Sequence, residues 1–179
     1  MIEQAEQLAV KAHDGQKRKN SSDPYIVHPR RVSEILRAGG GSAALICAGW
    51  LHDVVEDTEV TIEDIRKQFG NQVTELVAAH TENKRLPWKQ RKQHTIDTVR
   101  NGNLDIKALI VADKLDNLLS IHTDQLRFGE KVWDNFNAGY SQQKWYYQSV
   151  ASAMYNGLSK QDAPPFFPEY AELVEQTFD

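Results

Sequence analysis

The stretch "AALICAGWLHDVVEDTEV", residues 43–60, decides how this chain is read. Its first nine residues carry no charge, and they run directly into His52, Asp53, Glu56 and Asp57. Nine apolar residues fall well short of the ~20 that span a bilayer, so the run reads as a buried helix. Ser42 supplies an N-cap, and "GGG" at 39–41 breaks the chain before it. Read as one continuing helix, His52 with Glu56 and Asp53 with Asp57 are four apart, so each pair stacks on adjacent turns of one face. Three acids this close repel one another unless a cation or base relieves them. A divalent metal does so, and histidine with aspartate is an ordinary mixed ligand set.

Outward from this stretch, the apolar period is helical nearly everywhere. Ile2, Ala5, Leu8, Ala9 and Ala12 form one stripe, ended by Gly15. A polar loop "GQKRKNSSDP" (15–24) precedes a helix expected from about 29 to 38, with Pro29 at its first position. Thr61 and Asp64 resemble a capping box for a short helix closed by Gly70. Further helices are expected at about 71–82, 88–101, 104–123, 130–158 and 168–178, with Pro164, Pro165 and Pro168 punctuating the last junction. No alternating strand, repeat or low-complexity segment interrupts the pattern. The expected fold is all-α, a single domain over 1–179.

Size and composition bound the function. A chain of 179 residues, 40% apolar and 26% charged, fits one ordinary globular domain. The opening "MIEQAEQLAV" lacks a basic segment followed by an apolar one, so no signal peptide is expected. One cysteine, Cys47, allows no internal disulfide and suits a reducing compartment. The expected setting is cytoplasmic, with no membrane partner. A net charge of −4 argues against binding a nucleic-acid polymer. Short basic runs, "KRK" (17–19), "PRR" (29–31) and "KR" (84–85), still suit a small anionic ligand. Solvated surface charge is the ordinary explanation of any one of them.

If a metal is bound, further ligands must come from elsewhere. His28, in "PYIVHPRR", stands before a proline, which holds it rigidly. Asp113 lies in the nearly continuous apolar run "ALIVADKLDNLLSI", where a buried carboxylate without a partner costs several kcal/mol. Asn117 follows one turn later. Two histidines and two aspartates would leave coordination positions open to water and substrate. Singly, each has a plainer explanation: a surface His–Asp pair, a core histidine at a helix entry, an exposed acid. The ordered set H…HD…D is far more specific than any member. His13, His80, His94 and His122 lack such a context and read as structural or surface residues.

The order H…HD…D resembles the HD phosphohydrolase superfamily. The stretches "AHDGQKRKNSSDPYIVHP" (12–29), "LHDVVEDTEVTIEDIRKQFG" (51–70), "TENKRLPWKQRK" (81–92) and "ADKLDNL" (112–118) resemble its RelA/SpoT-type hydrolase branch, above all the small stand-alone alarmone hydrolases. That resemblance implies an HD-type helical bundle holding one Mn²⁺ through His28, His52, Asp53 and Asp113. It implies hydrolysis of guanosine tetra- or pentaphosphate at the 3′ position, releasing pyrophosphate and leaving GDP or GTP. Glu56 and Asp57 match the pair associated with hydrolysis, and Arg18 and Lys19 match the pair set against the base. Lys84 matches a phosphate-side lysine, and Asn117 the asparagine after the metal aspartate. Two departures touch the substrate side: the loop "NSSDPY" is about one residue longer than the common form, and Ile110 replaces a lysine of many long-chain relatives. Alternatives within the resemblance are hydrolysis of an adenosine analogue or of the 2′-phosphate of NADPH, and alarmone binding without turnover. The sequence sets no oligomeric state.

Overall fold

The computed structural model describes residues 1–19 and 21–178; Asn20, in the expected polar loop, lies outside the described residues. Among these the chain is helical, and no strand forms; Lys17 and Pro24 make one isolated antiparallel bridge. Among the described residues no helix is long and apolar enough to cross a membrane. The chain divides into two compact units, Met1–Glu82 and Asn83–Asp179.

In the first unit, α1 (Ile2–Ala12), α2 (Val27–Ala38) and α5 (Ile62–His80) each pack against α3 (Ala43–Leu51). Every residue of α3 from Ala44 to Leu51 is buried, which is why its sequence has no polar face. Ser42 caps it by accepting a hydrogen bond from the Leu45 amide at 3.1 Å. Gly49 lets α2 approach closely: a Cβ there would lie 2.9 Å from Leu36 Cδ1 and 3.0 Å from Ser33 Cα. The Thr61–Asp64 capping box forms as expected at the start of α5. Gly70, at φ 81°, kinks α5 where the sequence places the boundary between two helices.

In the second unit, α6 (Trp88–Asn101), α7 (Leu104–Phe128), α8 (Tyr140–Met154) and α9 (Phe166–Phe178) pack together. Asn103 caps α7. Lys107 is buried, and its ammonium donates to the carbonyls of Val99 and Arg100 in the last turn of α6, a favourable place for a cation.

Several boundaries differ from expectation. α2 starts at Val27 and α9 at Phe166, so Pro29 and Pro168 each occupy the third helical position rather than the first. No amide in the first turn has an intrahelical acceptor, so proline is tolerated there too. α7 runs on to Phe128 and ends at Gly129 with φ 63°. The helix expected over 130–158 is instead a 3₁₀ segment, Gly129–Asn135, followed after a break by α8. Buried Trp133 anchors that segment against Tyr140 and Phe178, with ring centroids 5.2 and 5.4 Å away.

Candidate metal centre

The helix that carries the opening stretch does not continue through its charged end. α3 stops at Leu51, His52 and Asp53 form a turn, and α4 (Val54–Asp57) adds a single turn. The Asp57 amide still bonds the Asp53 carbonyl at 3.0 Å, so the expected stacking of these two residues survives the break. His28, in the first turn of α2, meets this turn. Its Nε2 lies 3.1 Å from His52 Nε2 and 3.6 Å from Asp53 Oδ2, while His52 Nε2 and Asp53 Oδ2 are 3.1 Å apart. Both histidines are at most 1% exposed. Three donor atoms, one from α2 and two from the turn after α3, therefore converge.

These residues fit a divalent cation. His52 Nδ1 lies 2.8 Å from the Gly49 carbonyl, which can only accept, so the proton sits on Nδ1. With the proton on Nδ1, Nε2 is the acceptor nitrogen, and it faces His28 Nε2 and a carboxylate oxygen. Ligands about 2.2 Å from an octahedral ion sit about 3.1 Å from one another, the spacing seen here. The buried nitrogens and the carboxylate thus form a donor set that could hold such an ion.

Groups around the cluster were not all legible in the sequence. Tyr25 donates its hydroxyl to Asp53 Oδ2 at 2.6 Å. His80, read from sequence as structural or surface, sets its ring edge-to-face against His52, with centroids 4.7 Å apart. No sequence spacing links His80 to this site, because α5 brings it back across the kink at Gly70. Glu56 accepts the Glu82 amide at 2.6 Å through Oε1. Burial pushes the Glu56 carboxyl up from its ordinary value, although the Glu82 hydrogen bond and His80 pull the other way. Asp57 is exposed, and its carbonyl accepts from Gln16. Arg18 lies over the Tyr25 ring, its guanidinium carbon 5.9 Å from the centroid, and Lys19 is exposed.

The second unit holds the remaining candidates. Asp113 is 2% exposed in the middle of α7. Its Oδ1 accepts from Asn117 at 2.6 Å, and its Oδ2 lies 2.6 Å from Lys114 Nζ. Burial alone would push the Lys114 ammonium down, but the charge of Asp113, with smaller contributions from the ionisable hydroxyls of Tyr146 and Tyr147, outweighs it and holds it well above the usual lysine range. Asn117 thus orients the Asp113 carboxylate. Lys84 is exposed in the segment before α6. Tyr146 packs against Trp88 and under Lys92 and Lys114.

Comparison with known proteins follows the same residues. The HD domain family model matches residues 5–136. Over 112 residues the chain is 38% identical to a Synechocystis protein named a probable guanosine-3′,5′-bis(diphosphate) 3′-pyrophosphohydrolase; the match covers 59% of this chain and 15% of that protein. Against the Xenopus tropicalis guanosine-3′,5′-bis(diphosphate) 3′-pyrophosphohydrolase MESH1 it is 38% identical over 121 residues, covering 66% and 68% of the two chains. The chain thus spans a small part of the long relatives and about two thirds of the short ones. A crystal structure of lmo0812 from Listeria monocytogenes superposes with a TM-score of 0.82 at 54% identity, covering 84% of this chain and 98% of that one. A metazoan ortholog of SpoT, described as hydrolyzing ppGpp, superposes with a TM-score of 0.77 at 26% identity over 99% and 96%.

Proposed function

This chain belongs to the HD domain family, in its RelA/SpoT-type branch, and from that membership we propose that it is a metal-dependent 3′-pyrophosphohydrolase of guanosine tetra- and pentaphosphate. The activity is assigned to one domain over 1–179; the family match covers 5–136 and so takes in residues of both compact units. The observation that carries the reading is the convergence of His28 Nε2, His52 Nε2 and Asp53 Oδ2 within 3.6 Å.

His28, His52 and Asp53 hold the ion, with Asp113 as a fourth ligand whose carboxylate is buried and oriented by Asn117. Mn²⁺ is the ion the family branch implies. When bound, such a cation supplies Lewis-acid polarisation of a phosphoryl group and makes water a stronger acid. Glu56, held by the Glu82 amide, orients the attacking water and takes its proton, and its raised pKa brings it closer to a useful base at neutral pH. Asp57, at the end of the same short helix, assists. Arg18 presents a flat guanidinium suited to stacking on a purine, with Lys19 beside it and Lys84 on the phosphate side. Asn117, which donates to Asp113, is assigned to the substrate side. Cys47 is a buried free thiol, which suits a cytoplasmic setting.

The test is turnover of guanosine tetraphosphate by the chelator-treated protein, with and without added Mn²⁺, resolving GDP and pyrophosphate by chromatography. Metal-restored release of both products is expected. Undiminished turnover after chelation would remove the metal from the mechanism. Faster hydrolysis of an adenosine analogue or of NADPH in the same panel would reassign the substrate.

A further inference from the structure

Tyr25 is placed by backbone contacts on both sides. Its amide bonds the Gln16 carbonyl at 2.9 Å, and its carbonyl accepts the His28 amide at 3.0 Å. The Lys17–Pro24 bridge closes the loop just before it. Its ring is packed by His13, with centroids 4.8 Å apart, and meets His28 nearly edge-on at 6.1 Å. The hydroxyl ends 2.6 Å from Asp53 Oδ2, 28 residues away, the same oxygen that approaches both histidine nitrogens. A carboxylate oxygen has two lone pairs, so it can accept this hydroxyl and still face a cation.

We infer that Tyr25 is a positioning residue for the metal, holding the Asp53 carboxylate in the orientation that completes the donor set with His28 and His52. This rests on the metal reading above. The loop between α1 and α2 thereby acquires a second task. It presents Arg18 over one face of the Tyr25 ring while the same ring's hydroxyl fixes a ligand. Partners that orient ligands typically change metal affinity by about 10–100-fold when removed. Tyr25→Phe removes the hydroxyl and keeps the ring contacts with His13 and His28.

The experiment is a Mn²⁺ titration of wild-type and Tyr25→Phe proteins, followed by the electron paramagnetic resonance signal of free Mn²⁺, with thermal melting of both metal-free proteins alongside. The expected result is a dissociation constant raised about 10–100-fold, with the metal-free midpoint within about 5 °C of wild type. Equal affinity in the two proteins overturns the inference and leaves the metal reading standing. Absence of Mn²⁺ binding by the wild type overturns both. Failure of Tyr25→Phe to fold without metal also overturns the inference, because the hydroxyl would then be holding the fold rather than the ligand.

Discussion

His28 Nε2 and His52 Nε2 stand 3.1 Å apart, although one residue lies in the first turn of α2 and the other just past the end of α3. Their approach depends on the packing of those helices and leaves two buried imidazoles facing each other. A cation bound between them favours the folded state by mass action, about 2.7 kcal/mol at a hundredfold excess over its dissociation constant. Mn²⁺ should therefore raise the unfolding midpoint of the wild type. His28→Ala should abolish that rise and lower hydrolysis by about 100-fold or more, since losing a ligand costs at least as much as losing its outer partner. Chemical denaturation with and without Mn²⁺ checks both. An undiminished metal-induced shift in His28→Ala would remove His28 from the ligand set.

Gly49 serves the same pair twice. Its missing side chain admits Ser33 and Leu36 of α2, and its carbonyl fixes the His52 tautomer. In Gly49→Ala the new Cβ meets the Ser33 backbone at 3.0 Å, so α2 must shift. A cost of about 1–3 kcal/mol is expected from overpacking, together with weaker Mn²⁺ binding as His28 moves from His52. Urea denaturation and a metal titration measure the two effects separately.

The first unit was largely legible because its signals are local. A run of apolar residues behind Ser42 could only be a buried helix, and the Thr61–Asp64 box and Gly70 marked their boundaries through backbone chemistry. The HD pair was legible as chemistry, but the break in the helix at His52 was not, since no residue there forbids helix continuation. Tyr25, His80 and Lys114 went unmarked for one reason: each acts on a residue through tertiary packing or side-chain geometry that periodicity does not report. The helix expected over 130–158 failed because an apolar period continues through Val132 and Trp133, while the backbone turns to seat the Trp133 ring.

Glu56 links pH to stability and, as the proposed base, to rate. Its folded pKa is raised, mainly by burial, so the native state holds the proton more tightly than the unfolded chain. Protonated Glu56 costs nothing at low pH; as pH climbs from the unfolded carboxyl value, about 4.3, through the raised folded value, its contribution to stability falls. Glu56→Gln keeps an oxygen for the Glu82 amide and removes the charge. It should be more stable than the wild type at pH 7, with the gain fading by about pH 4. As the proposed base, its loss should lower kcat by about 10²–10⁴-fold while Mn²⁺ binding persists. Melting curves across pH and single-turnover rates test the pair of claims; a variant with near-normal kcat would take the proton-transfer role away from Glu56.

Lys114 and Asp113 form a close ion pair, 2.6 Å apart, with side chains 12% and 3% exposed. Removing one partner of such a pair leaves the other charge buried, at about 3–5 kcal/mol. Lys114→Met keeps an unbranched apolar side chain and removes the ammonium, which lies 5.8 Å from the Tyr146 ring centroid. Asn117 still donates to Asp113 Oδ1, so a loss near the lower end, about 3 kcal/mol, is expected in metal-free protein. If Asp113 is a metal ligand, saturating Mn²⁺ should narrow the deficit, because a cation again faces the carboxylate. Adding Asp113→Asn to Lys114→Met should cost less than the sum of the single changes, since the second removes the charge the first stranded. A double-mutant cycle by urea denaturation, run with and without Mn²⁺, reads the coupling directly. A strictly additive cycle would mean that the two groups do not stabilise each other. A deficit unchanged by Mn²⁺ would mean that Asp113 does not meet the ion.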